Sequence, residues 1–209
     1  MASAIIHISV AKKVNEKLHM NEKELFLGTI APDISKQIGE TKDKSHFLFG
    51  ADDNIPKVDK FIEKYKKDLT SPFDMGYLIH LYTDYYWFKN FVPRFLKEDH
   101  INLLNKTIIS NEEKLSNELI YNDYSNLNSD LIDCYGLDLS LFYEELEYPH
   151  TNIDEIPIDK LKVVVDKMGI IISEAGINKS YVFDKKMIVS FIEGSATNIL
   201  NHLNALKLI

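Results

Sequence analysis

Apolar residues recur along most of the chain every three to four positions, which is the spacing of one face of an α-helix. With capping residues and prolines taken as boundaries, this pattern predicts helices over residues 3–18, 21–31, 57–68, 72–97, 99–121, 126–134, 157–175 and 184–207. Strand-like alternation is scarce. The pattern therefore predicts an all-α fold of about eight to ten helices, arranged as a single-domain multi-helix bundle over residues 1–209.

Three of the predicted helices carry a recognisable start signal. Ser3 precedes the first helix as a candidate N-cap, and Asn21 stands three residues before Glu24, which is the spacing of a capping box. Ser71 and Pro72 mark the start of the long central helix, because proline is favoured in the first turn.

Residues 32–56 carry no helical pattern. A structureless loop of this length is uncommon within a compact domain and is often functional. We therefore expect the loop around residues 33–54 to lie over a functional site.

Composition and charge narrow the class of protein. The chain has 209 residues, of which 45% are hydrophobic, which is enough for one sizeable core. Its 24 Lys and Arg against 32 Asp and Glu give a net charge of −8, which argues against tight, unspecific binding of nucleic acid.

Cys134 is the single cysteine of the chain, so an intrachain disulfide is excluded. The sequence shows neither a signal-peptide pattern nor an apolar run of the ~18 residues that span a bilayer, so a cytoplasmic location is expected.

The segment GYLIHLYTDYYWF, residues 76–88, places a histidine and an aspartate in an otherwise apolar and aromatic helix. His80 and Asp84 are four residues apart and share one helix face. Burying these groups unpaired is costly. Their partners are therefore each other, backbone groups or a metal ion.

Three further residues in the N-terminal half have side chains that commonly bind metals and stand beside apolar residues in the sequence. They are His7 in the first helix, Asp33 in the segment IAPD and His46 in the segment KSHF. Imidazole and carboxylate together suit zinc, iron or manganese better than calcium. Asp123 is a further candidate ligand. Each residue also has a plainer interpretation, since a histidine on an apolar helix is commonly a hydrogen-bonded core residue and an aspartate after Ala-Pro is commonly a turn residue.

The series HISVA, GTIAPD, KSHF and GYLIHLYTDYYW, in this order within residues 4–90, resembles the zinc-dependent phospholipase C family. That family belongs to the phospholipase C/single-strand nuclease superfamily. The resemblance implies a helical bundle of that type, which hydrolyses phosphate esters with clustered zinc ions. It implies one metal ion surrounded by Asp33, His46, His80 and Asp84. By the same resemblance, Asp84 bridges to a second ion that also binds His7, and Asp33 is the candidate general base.

The chain departs from this family in two respects. Secreted members use their N-terminal amino group and a tryptophan there as a ligand, and here no tryptophan precedes His7. The family's third metal takes a histidine soon after the HLYTD-like segment and then a His-x-x-x-Glu pair. Asn90 stands near the first of these positions, and no such pair follows it. We therefore expect two zinc ions, with other transition metals as alternatives, in a short intracellular-type member.

The leading hypothesis is a metal-dependent phosphoesterase that acts on a small phosphoester or a phospholipid through a di-metal site that activates water. A phospholipid head group, a nucleotide and a small phosphodiester all remain open as substrates. Phosphohydrolases of the HD type need an adjacent His-Asp dipeptide, which this chain lacks. The alternative from another class is a catalytically degenerate, metal-stabilised helical binding module.

Overall fold

The computed structural model describes residues 2–50, 54–173 and 179–209, and it confirms the all-α prediction. The helices are α1 (Ala4–Leu18), α2 (Glu22–Ile30), α3 (Ile34–Gln37), α4 (Val58–Tyr65), α5 (Pro72–Tyr86), α6 (Glu113–Tyr135), α7 (Leu161–Ser173) and α8 (Lys185–Ala205). Among the described residues the only strands are β1 (His100–Asn102) and β2 (Ile108–Ser110), which pair antiparallel. No described helix is long and apolar enough to cross a membrane.

The three predicted helix starts are confirmed by their hydrogen bonds. Ser3 Oγ accepts the backbone N–H of Ile6 at 3.3 Å, and Asn21 Oδ1 accepts that of Glu24 at 3.0 Å. Ser71 caps α5 in the same way. Each cap satisfies one of the N–H groups that the first turn of a helix leaves without a partner.

The predicted helices over 99–121 and 126–134 are wrong in their boundaries. Residues 100–110 form the β1–β2 hairpin, and α6 then runs without a break from residue 113 to residue 135. The β-branched Thr107, Ile108 and Ile109 favour a strand. Lys106 turns the chain with a φ of 68°, and Asn105 Oδ1 accepts the N–H of Thr107 at 2.9 Å. Local turn chemistry therefore outweighs the weak helical spacing of this segment.

The sequence predicts the central helix over 72–97 with Pro93 as a candidate kink or end, and the regular helix is shorter still. The regular α5 ends at Tyr86, a π-helical turn follows over Trp87–Phe91, and a 3₁₀ turn over Val92–Arg94 ends the segment. Pro93 has no backbone N–H and cannot continue the helical ladder. Wide π-helical turns of this kind are frequent near functional sites.

The predicted loop over 32–56 is only partly irregular. It begins with a 3₁₀ turn over Ala31–Asp33 and the short helix α3. Its residues 51–53 lie outside the described residues, as do the last two residues of the helix predicted over 157–175.

The helices α2 and α5 form the most extensive helix pair of the structure, and glycine makes their close approach possible. A Cβ atom on Gly28 would lie 1.9 Å from the carbonyl oxygen of Phe73, and one on Gly76 would lie 2.1 Å from the carbonyl oxygen of Leu25. Since real Cβ atoms do not approach so closely, no side chain fits between the two backbones. This contact fixes the position of α5, which carries two of the predicted metal ligands.

We expect Gly28→Ala to lower the free energy of unfolding by at least about 1–3 kcal/mol, because the added methyl group forces the α2 and α5 backbones apart. Gly194→Ala on α8 is the matched control, since a Cβ there meets nothing within 4 Å. The control is expected to gain up to about 1 kcal/mol from better helix propensity. Urea unfolding of both variants measures the difference. A Gly28→Ala protein as stable as the parent would contradict the proposed role of this contact.

Candidate metal centre

The structure brings the five predicted metal-ligand residues together in the core. They come from α1, from the 3₁₀ turn after α2, from the loop after α3, and from α5, and they are His7, Asp33, His46, His80 and Asp84. Four of them are at most 1% exposed, and Asp33 is 9% exposed. Polar side chains this deeply buried need partners.

His80 lies at the middle of this cluster. Its Nε2 atom is 3.2 Å from Nε2 of His46 and 3.8 Å from Oδ2 of Asp84. Its ring stacks on that of His7, with ring centroids 3.9 Å apart and planes within 3°. Three imidazoles and a carboxylate therefore converge on one small volume.

Backbone and side-chain hydrogen bonds orient two of the imidazoles. Nδ1 of His80 lies 2.8 Å from the carbonyl oxygen of Thr29. Because a carbonyl can only accept, Nδ1 carries the proton and Nε2 keeps its lone pair for the cluster. Nδ1 of His46 lies 3.0 Å from Oγ of Ser45, and the hydroxyl of Tyr77 donates to the Ser45 carbonyl at 2.6 Å. A hydrogen-bonded layer outside the cluster thus aims the ring nitrogens inward.

The two carboxylates lie on different sides of the imidazoles. Oδ1 of Asp84 is 3.3 Å from Nε2 of His7 and accepts the backbone N–H of Ala2 at 3.0 Å. Oδ2 of Asp84 is 3.8 Å from Nε2 of His46. Oδ1 of Asp33 is 3.6 Å from the same His46 nitrogen. Asp84 therefore presents one oxygen to His7 and the other to His46 and His80.

Opposing effects set the charges of these groups. Burial alone would raise the pKa of Asp33, but the nearby His46 ring and the charges of the other imidazoles lower that pKa to about 2. Burial also acts to raise the pKa of Asp84, which His7 holds well below its usual value. Burial, with a further contribution from His7, lowers the pKa of His80 to about 3. At neutral pH the cluster thus offers two ionised carboxylates and a neutral His80, the protonation states that a cation requires.

Unpartnered atoms test whether a metal ion fits here. Within the described part of the chain, both ring nitrogens of His7, Oδ1 of Asp33 and Oδ2 of Asp84 are buried without a hydrogen-bond partner. His7 and Asp84 are in ion-pair range but not in hydrogen-bond geometry. Leaving one such group unsatisfied costs about 1–3 kcal/mol. Ligand atoms of tetrahedral zinc, at about 2.0–2.1 Å from the ion, lie roughly 3.3–3.4 Å apart, close to the spacings found here. The donor set therefore fits zinc.

The ligand atoms fall into two groups, in each of which all atoms lie within 4.8 Å of one another. One group holds His7, His80 and Asp84, and the other holds Asp33, His46 and His80. Although His80 belongs to both, its single available lone pair can bind only one ion. A carboxylate has two oxygens and can join two ions, so Asp84 is the residue suited to link the two groups.

Asp123 is not brought to this cluster. Its carboxylate accepts the backbone N–H groups of Tyr181, Val182 and Phe183 at 2.8, 2.6 and 3.0 Å. This buried side chain ties the segment before α8 to α6. Its surroundings explain its burial without a metal ion.

The sequence analysis did not single out the residues that support the ligands. Tyr77 had a usable signal, since it lies three residues before His80 and seven before Asp84 and so shares their helix face. Ser45 adjoins His46 in the sequence and could have been noticed. Thr29 acts through its backbone carbonyl, for which no side-chain pattern exists.

We expect Tyr77→Phe to weaken metal binding by about 10–100-fold, the usual effect of removing an outer hydrogen bond from a metal site. The substitution keeps the ring, and it leaves the buried Ser45 carbonyl without its donor. Tyr143→Phe is the control, since Tyr143 is 68% exposed. Competition with a chromogenic chelator measures the zinc dissociation constant of both variants. Equal affinities would mean that Tyr77 does not hold His46 in place.

Comparison of the chain with known protein families, with curated proteins and with solved structures finds no match. The resemblance to zinc-dependent phospholipases C therefore rests on the sequence motifs alone.

Proposed function

We propose that this protein is a metal-dependent hydrolase of phosphate esters, similar in its chemistry to the zinc-dependent phospholipases C. The observation that carries the proposal is the buried cluster of three histidines and two aspartates, in which four atoms lack hydrogen-bond partners. Asp33 is the most exposed of the five residues, at 9%, so a substrate would reach the cluster from its side. Phosphoester hydrolysis needs such a combination of held cations and access from one side.

In this proposal, Asp33, His46, His80 and Asp84 would hold one zinc ion, and His7 with Asp84 would hold the second. Zinc supplies charge stabilisation for phosphoryl oxygens and lowers the pKa of water. The chain itself contributes orientation. The Thr29 carbonyl fixes the His80 ring, as described above.

Asp33 has the role of candidate general base or water-orienting group. It is the most exposed carboxylate of the cluster, and it is ionised at neutral pH, with a pKa lowered to about 2. An ionised carboxylate at the open side accepts a hydrogen bond from a water molecule that approaches the substrate phosphorus.

The alternative is a metal-stabilised helical binding module without catalysis. The observation in its favour is that four of the five residues are at most 1% exposed, as in structural metal sites whose coordination is closed. Under this alternative the metal contributes folding energy only.

Hydrolysis of bis(nitrophenyl) phosphate separates the two functions. For the phosphoesterase we expect turnover by the zinc-loaded protein, loss of turnover after chelation, and recovery when zinc is added back. Asp33→Asn is expected to keep its fold and lose most turnover. Zinc-loaded protein that is folded and shows no turnover of this diester or of nitrophenyl phosphate would favour the binding module.

A further inference from the structure

A cavity of about 250 Å³ adjoins the cluster, with Asp33 in its wall. Its other walls come from separate helices: Lys36 of α3, Tyr121 and Asn128 of α6, and Lys167 of α7. The volume is somewhat below the roughly 300–1,000 Å³ of sites that enclose drug-sized ligands. The cavity therefore suits a small polar group better than a long acyl chain.

The cavity lies on the open side of the cluster. The side chain of Asp33 is 13% exposed, while the side chains of His7, His46, His80 and Asp84 are at most 1% exposed. A molecule seated in the cavity therefore meets the cluster at Asp33. This places the cavity where the organic half of a phosphoester would lie while its phosphate faces the metal ligands.

Asn128 is a buried residue of the cavity wall whose side-chain oxygen lacks a hydrogen-bond partner among the described residues. The residue is 4% exposed. An acceptor in this position is satisfied by an O–H or N–H donor. A hydroxylated ligand supplies such a donor.

The two lysines of the cavity set its charge preference. Within the described residues, neither Lys36 nor Lys167 forms a salt bridge with a carboxylate. The ammonium group of Lys36 donates to the hydroxyl of Tyr121 at 3.1 Å. The two cations outnumber the one ionised carboxylate of the cavity wall, Asp33, and so favour an anionic ligand. A quaternary ammonium group is bound instead by aromatic faces without competing cations.

We propose that this cavity binds the organic half of the substrate, and that this half is small, hydroxylated and anionic, such as a polyol phosphate with a further acid group. The inference rests on the phosphoesterase function proposed above and narrows its substrate. The amide oxygen of Asn128 accepts a hydrogen bond from a hydroxyl group of the ligand. Lys36 and Lys167 form ion pairs with its additional negative charge. The same two lysines disfavour a choline-type head group.

Competitive binding of three phosphate monoesters to the zinc-loaded protein tests this preference. The probes are phosphoglycerate, glycerol phosphate and phosphocholine, with inorganic phosphate as the reference, and calorimetry gives their dissociation constants. We expect phosphoglycerate to bind most tightly, glycerol phosphate next, and phosphocholine at least about tenfold more weakly than glycerol phosphate. This ranking needs no variant and no turnover.

Two variants assign the preference to named residues. Asn128→Leu keeps a similar volume without hydrogen bonding and is expected to weaken glycerol phosphate about tenfold, with inorganic phosphate unchanged. Lys167→Met is expected to weaken phosphoglycerate more than glycerol phosphate. Lys162→Met is the control on the same helix, because Lys162 is exposed, pairs with Asp166 and lies outside the cavity lining.

The outcomes separate this inference from the function on which it rests. If inorganic phosphate binds in a zinc-dependent manner but the three esters bind alike and Asn128→Leu changes nothing, the inference is overturned and the phosphoesterase proposal stands. Tighter binding of phosphocholine than of phosphoglycerate would also overturn it. If no probe binds to the zinc-loaded protein, inorganic phosphate included, both proposals fail.

Discussion

Asp84→Asn is expected to release at least one metal ion and to lower phosphoester hydrolysis by orders of magnitude. Its two carboxylate oxygens face His7 on one side and His46 and His80 on the other, so the residue is suited to hold two cations at once. A neutral amide cannot compensate the repulsion between the cations. If Asp84 had only a structural role, the amide oxygen would still accept the N–H of Ala2, and the loss would be confined to about 1–3 kcal/mol of stability.

Asp74→Asn is the matched control for this experiment. Asp74 is also a buried aspartate of α5, at 2% exposure, and it accepts a hydrogen bond from Thr151 that an amide oxygen can keep. It lies outside both groups of ligand atoms. We expect unchanged metal content and turnover in this variant. Elemental analysis and diester hydrolysis are measured on both proteins, and an Asp84→Asn protein with full metal and full turnover would rule out the bridging role.

The second large effect is expected when the metal is removed. Without a cation, two buried carboxylates of lowered pKa and the unpartnered His7 ring remain inside the core. Ligand binding to the folded state alone stabilises by about 4 kcal/mol when free zinc is 1,000 times its dissociation constant. Chelation should therefore lower the unfolding temperature by many degrees, and added zinc should restore it in a concentration-dependent way.

Thermal unfolding with and without chelator checks this expectation. His80→Gln provides the comparison, since it removes one imidazole of the cluster and should weaken the dependence of the unfolding temperature on zinc. If neither chelator nor zinc changes the unfolding temperature of the parent protein, the cluster does not hold a metal ion that stabilises the fold.

Sequence reasoning succeeded where the physical signal is local. The caps at Ser3, Asn21 and Ser71 depend on a side chain and a backbone N–H a few residues away, and all three are present. The β1–β2 hairpin was missed because its helical and strand patterns are both weak over so few residues. The end of the regular α5 was misplaced because the π-helical turn over Trp87–Phe91 has no sequence pattern of its own.

For the candidate site, too, the sequence revealed what depends on residue type and missed what depends on the fold. Chemical type and apolar neighbours were enough to select the five residues that the structure gathers, although His7 and Asp84 are 77 positions apart. Chemical type alone also suggested Asp123, because a carboxylate that binds backbone N–H groups and one that binds a metal look alike in a sequence. The buried Asn128 was not noticed, since only the fold shows that its amide oxygen lacks a partner.

The transition-metal content of the purified protein is the most direct test of a metal-centred phosphoesterase. The protein should be expressed without added metal, purified without chelator and analysed for all first-row transition metals. The proposal predicts at least one equivalent of transition metal per chain, with about two equivalents of zinc as the full complement. Folded protein that contains none, and that takes up none from a zinc solution, would contradict the account.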